Sequence, residues 1–139
     1  MMAKTFYGME ELLVAELKQL GAVDVSKGNR LVHFTGDKGF MYKANLCLRT
    51  ALKILKPIFQ FRAENESVLY EKLYHYDWST LLSPDQTFAI DSVVHGNVFN
   101  HSLYVSQRCK DALVDRFRKD YGKRPTVDTR HPDIRFHLH

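Results

Sequence analysis

The chemistry available to this chain lies in its cations. Residues 95–139 hold nine Lys and Arg against five Asp and Glu, whereas residues 1–94 hold eleven of each. The whole formal net charge of +4 therefore falls in the last third, together with five of the seven histidines. Arg108, Lys110, Arg118 and Lys119 occupy one stretch; Lys123, Arg124, Arg130 and Arg135 follow it. A guanidinium offers a planar fork that holds phosphate through two N–H donors at once. His95, Asn97, Asn100 and His101 add neutral groups of the kind that reach sugar and base edges. Such a segment is the electrostatic footprint of a polyanion binder. The competing reading is a solvated face whose cations pair with carboxylates. Asp111, Asp115 and Asp120 supply partners within the same stretch, with Asp115–Lys119 one pair at helical spacing. Lys123, Arg124 and Arg130 have the fewest acidic neighbours in sequence and are the strongest phosphate candidates. Arg116 falls beside an apolar stripe, where it is expected to snorkel or to pin a neighbouring domain.

Catalytic signatures are missing. The chain has no G-x-G-x-x-G, no phosphate-binding P-loop and no G-x-S-x-G, and no catalytic residue is assigned. His131, His137 and His139 invite a metal reading, but no thiol or carboxylate completes a ligand set, so no metal site is assigned either. Cys47 and Cys109 are too far apart for a zinc knuckle or a disulfide framework. Reduced thiols and a cytoplasmic location are expected, with no membrane partner, since no apolar run approaches the roughly 20 residues of a spanning helix.

The elements that must carry these groups can be read from periodicity. Residues 3–6 form a candidate strand. Over residues 8–20, Met9, Leu12, Leu13, Leu17 and Leu20 make one helical stripe, with Glu10, Glu11 and Glu16 facing water and Gly21 as C-cap. Residues 23–27 and 30–35 read as strands joined at Gly28-Asn29. Asp37 caps a second helix whose inward face is Phe40, Met41, Ala44, Cys47 and Leu48. Residues 51–61 are apolar and β-rich, with Pro57 marking a bulge or edge. The order is βαββαβ, the split arrangement of ferredoxin-like folds.

Residues 64–76 read as a helix with Val68, Leu69 and Leu73 inward, and residues 77–82 as a further short turn. Residues 87–94 read as a buried strand. Residues 102–121 form a long helix with Val105, Cys109, Ala112, Leu113 and Phe117 on one stripe, ended by Gly122. A basic loop over 123–132 leads to a strand over 134–139. That strand has no successor to form a hairpin with, which leads us to expect a fragment of a longer protein. The fold class is α+β, with a ferredoxin-like module over residues 1–62 and a second, truncated module over residues 63–139.

Several blocks agree in order with a known family. Gly8-Met9-Glu10-Glu11-Leu12-Leu13, Glu16-Leu17 and Leu20-Gly21-Ala22 resemble the opening of THUMP-containing RNA methyltransferases. Val32-His33-Phe34-Thr35-Gly36-Asp37 and Asn45-Leu46-Cys47-Leu48-Arg49-Thr50-Ala51 resemble the same N-terminal ferredoxin-like domain. Cys109 to Asp115, Arg124-Pro125-Thr126-Val127-Asp128 and Pro132-Asp133-Ile134-Arg135 resemble the THUMP domain itself. Among such enzymes the chain looks like bacterial large-subunit rRNA guanine-N2 methyltransferases. The resemblance implies that this region recognises RNA, most simply rRNA. It also implies a methyltransferase domain further along the polypeptide, which binds S-adenosylmethionine. No cofactor is expected in this region, whose part in catalysis is to position RNA. A tRNA-directed enzyme of similar architecture and an intramolecular protein-docking module are the alternatives.

Overall fold

The computed structural model describes residues 1–94 and 98–139. The chain divides into two compact units, Met1–Gln60 and Phe61–His139.

In the first unit, strands β1 (Met2–Lys4), β2 (Val23–Lys27), β3 (Leu31–Thr35) and β4 (Lys53–Leu55) form an antiparallel sheet in the order β2-β3-β1-β4. Helices α1 (Glu10–Leu20) and α2 (Lys38–Cys47) complete the βαββαβ order. Ala3, Val32 and Phe34 from the sheet bury against Leu13 and Leu17 of α1, two leucines one helical turn apart. At roughly 2 kcal/mol per buried leucine, this seam is a main source of the unit's stability. Helix α1 ends at Gly21, whose φ of 97° suits glycine; the Gly21 and Ala22 amides donate back to the Lys18 and Leu17 carbonyls. The Asp37 carboxylate caps α2 by accepting from the Phe40 amide at 2.6 Å.

Four expectations for this unit are corrected. Leu12, expected on the apolar stripe of α1, is 56% exposed and not part of its buried face. Glu10 is buried, and its carboxylate accepts from the Gly8 amide at 2.8 Å and the Arg30 amide at 3.0 Å. Glu16 accepts from the Thr50 hydroxyl at 2.6 Å and the Thr50 amide at 3.2 Å. Neither therefore simply faces water; loop amides compete for them as local partners. Cys47 is exposed rather than a core residue, because α2 buries only Ala44 and its last turn points to solvent. The strand expected over residues 51–61 is confined to Lys53–Leu55, since β1 offers only three residues to pair with and Pro57 has no amide to extend the ladder.

In the second unit, β5 (Thr87–Ser92) lies between β6 (Thr126–Val127) and β7 (Ile134–Leu138), parallel to both. Helices α3 (Glu66–His75) and α4 (Ser102–Tyr121) bury Leu69, Leu73, Val105, Cys109, Ala112, Leu113 and Phe117 together with Phe88. Trp78, on a short 3-10 turn over Trp78–Thr80, is 4% exposed and donates its indole N–H to the Leu73 carbonyl at 2.7 Å. Its ring packs edge-on against Tyr76 and Phe136. The stripe expected on the long helix is the buried face observed. The last strand, expected to want a hairpin partner, has one of another kind. It runs parallel to β5 from Phe88↔Ile134 to Ser92↔Leu138, reached by a crossover that period-2 reading does not reveal.

Candidate nucleic-acid interface

The second unit sorts its cations into two kinds. Most are held by partners inside the unit. On α4, Lys110 Nζ lies 2.8 Å from Asp111, and Arg118 lies 3.7 Å from Asp115. The Arg108 guanidinium sits 4.8 Å above the Tyr70 ring, with its Nε buried and without a hydrogen-bond partner among the described residues. Lys119 sits 5.8 Å from the Tyr74 ring centre rather than against Asp115. Tyr70 and Tyr74 stack one turn apart on α3, so the α3–α4 seam carries an Arg-Tyr-Tyr-Lys ladder of cation–π contacts. The Tyr70 hydroxyl donates to Asp115 at 2.6 Å; burial, and then the Asp115 carboxylate, push its phenol up to about 12.

Arg116 pins a neighbouring helix of its own unit. Its Nε lies 2.5 Å from Asp120, and one terminal nitrogen donates to the Tyr74 carbonyl in the last turn of α3 at 3.2 Å. Arg135 reaches Asp91 at 3.2 Å and the Thr129 carbonyl at 2.8 Å, tying β7 to β5 and to the loop before it. Lys123, which has few acidic neighbours in sequence, is 2.7 Å from Asp85, 38 residues away along the chain. This pair is exposed on both sides and worth little.

Arg124 and Arg130 differ from the other cations of residues 95–139 and share their lack of a partner among the described residues with Lys72 on α3. Both are exposed, and neither guanidinium has a partner among the described residues. They bracket β6, which is an edge strand of the sheet among the described residues. Pro125, next to Arg124, is fully buried and anchors that end. At the other end the Asp128 carboxylate accepts the Arg130 and His131 amides at 2.9 and 3.0 Å, fixing the loop. These two bonds hold the Asp128 carboxyl below its ordinary range, His131's contribution being the larger. The arrangement is an edge with a hydrogen-bonded loop that displays two guanidinium forks without partners among the described residues, a chemistry suited to phosphate. His101 and Asn100 are exposed at the start of α4, while His95 and Asn97 lie outside the described residues. Among those described, no group of three His, Cys, Asp or Glu could hold a metal ion.

Sequence reading missed Tyr70, Tyr74, Asp85 and Asp91 as partners of Arg108, Lys119, Lys123 and Arg135. Only the i,i+4 spacing of the two tyrosines was visible in advance. The strand-to-helix turn with two nearby glycines, Gly36 and Gly39, has its space filled from within: a Cβ on Gly36 would meet the Phe40 ring at 2.7 Å.

Fold and site together define a two-unit α+β chain with a ferredoxin-like first unit and a basic edge on the second. Residues 63–139 match the THUMP domain and residues 1–55 the RlmL ferredoxin-like domain, and the chain belongs to the THUMP domain family. It is 38% identical over 139 residues to the ribosomal RNA large subunit methyltransferase K/L of Desulfotalea psychrophila, covering 99% of this chain and 19% of that protein. It is likewise 38% identical over 132 residues to the enzyme of the same name from Syntrophotalea carbinolica, covering 95% and 18%. The chain thus spans about a fifth of the length of these relatives. Among solved structures, SMU.472, crystallised with SAH, matches with a TM-score of 0.80 at 23% identity over 99% of this chain and 38% of that one. At that identity the likeness shows the fold.

Proposed function

We propose that this chain is the RNA-recognition region of an S-adenosylmethionine-dependent rRNA guanine-N2 methyltransferase of the cytoplasm. A catalytic domain of the same polypeptide supplies the cofactor site, and residues 1–62 and 63–139 act as two recognition modules. The observation that carries this reading is the pair Arg124 and Arg130, exposed and unpartnered among the described residues on either side of the edge strand β6. The names of the 38% identical relatives support rRNA as substrate. The region's share of catalysis is positioning: holding RNA so that one base meets a distant reactive centre. No residue described here is assigned a role in methyl transfer.

Filter binding of rRNA and tRNA fragments at two salt concentrations tests the proposal. Preferential, salt-sensitive retention of rRNA is expected. Preference for tRNA would favour a tRNA-directed enzyme, and no retention of either would favour a module that docks another domain.

A further inference from the structure

Outside the basic edge, the first unit leaves aromatic rings in solvent at one end of its sheet. We propose that this end, built from residues 4–8, 28–31 and 50–53, is a second RNA contact that takes unpaired bases on Phe6 and Tyr7. Lys4 and Arg30 hold the adjoining phosphates. The inference rests on the reading of the chain as an RNA binder.

Phe6 is 61% exposed and Tyr7 76% exposed. Scattered apolar residues on a surface are ordinary, but these two are displayed by a framework. The Met9 amide closes a turn onto the Phe6 carbonyl at 3.2 Å, and Gly8 takes the positive φ, 86°, that the third position of a type II turn requires. The buried Glu10 carboxylate grips the Gly8 amide from below and, with its other oxygen, the Arg30 amide. Its own backbone amide and the Arg30 amide hold its carboxyl below the ordinary value. The Thr5 amide donates to the Arg30 carbonyl at 3.0 Å and the Thr5 hydroxyl to the Thr50 carbonyl at 2.7 Å; the Leu52 amide donates to the Lys4 carbonyl at 2.8 Å. Three connections widely separated in sequence are thus locked into one platform, with Leu52 also half-exposed beside it.

The charge around the platform favours an anion. Arg30 is exposed, and its guanidinium has no partner among the described residues, although its backbone is held at a φ of 58°. Lys4 has no ion pair among the described residues, and the β1–β4 register places it directly opposite Lys53. The nearby carboxylates are committed, Glu10 to two amides and Glu11 to Lys27. Rigid aromatic rings flanked by cations suit single-stranded nucleic acid, whose bases stack on the rings while its phosphates meet the charges. In a duplex the base faces are already stacked and cannot use this platform.

The test measures binding of the 139-residue chain to a single-stranded oligoribonucleotide and to a blunt-ended RNA duplex of equal length. Phe6→Ala with Tyr7→Ala is expected to weaken single-strand binding about tenfold or more, the order of one lost stacked base. Duplex affinity, salt dependence and the melting temperature are expected to be unchanged. Phe6→Trp with Tyr7→Trp retains affinity, whereas Phe6→Leu with Tyr7→Leu loses it, because stacking and not mere apolarity is required. Single-strand affinity unchanged in the alanine pair, or kept by the leucine pair, overturns the proposal and assigns the patch to a protein surface. Those results leave the RNA reading standing if the parent still binds RNA. A parent that binds neither RNA takes both down together.

Discussion

The division of the second unit's cations into held and open groups predicts two opposite variants. In Arg116→Ala, a bond to Asp120 and a bond to the Tyr74 carbonyl disappear. The arginine side chain is 26% exposed, so solvent screens much of the ion pair. An i,i+4 pair of this kind contributes about 0.3–0.5 kcal/mol, and the bond from a charged donor to the end of α3 about 1 kcal/mol after the same discount. The sum is roughly 1–2 kcal/mol. For a unit the size of Phe61–His139, that lowers the melting temperature by about 5–15 °C. Arg124→Ala with Arg130→Ala removes no described contact, so the transition should move by less than about 3 °C. RNA binding should respond in reverse. The double variant loses two phosphate contacts, while Arg116→Ala binds as the parent does when assayed well below its own transition. Circular dichroism melts and filter binding on the same preparations measure both. A double variant that melts early, or an Arg116 variant that stays stable and loses RNA, would refute the sorting.

Three further outcomes follow from the packing. Cys47 should react with a thiol reagent in the native protein; Cys109, whose thiol burial pushes up to about 12, should react only on unfolding, and two fast equivalents would contradict this. Leu113→Ala empties a site that is 0% exposed and should cost about 2–5 kcal/mol in urea unfolding; a cost below about 1 kcal/mol would mean the seam collapses around the gap. Glu10 and Glu16 have carboxyls held below their ordinary value of 4.5. For Glu10 the cause is mainly backbone amides; for Glu16, burial is outweighed by Thr50 and Arg49. A depressed carboxyl stabilises the fold fully above its unfolded value and less as pH falls through the folded one. The urea midpoint should therefore drop on acidification below about pH 4.5, and less steeply in Glu16→Gln; the same pH profile in both proteins would count against it.

Local rules carried most of the architecture. The βαββαβ order, the Asp37 cap, the glycine ends of α1 and α4 and the buried stripe of α4 all follow from spacing and turn chemistry, which act over a few residues. What escaped depends on contacts distant in sequence. The parallel placement of β7 beside β5 requires a crossover. Glu10 and Glu16 turn inward because loops 20 and 34 residues away bring amides to them. Cys47 lies three residues after Ala44, the buried residue of α2, yet the last turn of that helix is exposed. The same limit applies to the cations. Asp85 and Asp91 pair with Lys123 and Arg135 from 38 and 44 residues away, so counting acidic neighbours along the chain grouped Lys123 with Arg124 and Arg130 and did not reveal its distant partner.

The decisive measurement is the affinity of the parent chain and the Arg124→Ala/Arg130→Ala variant for an rRNA fragment across a series of salt concentrations. Ion release from two phosphates predicts a double-logarithmic line shallower for the variant by about 1.4–1.8. Parallel lines for the two proteins, or a parent affinity indifferent to salt, would contradict the account.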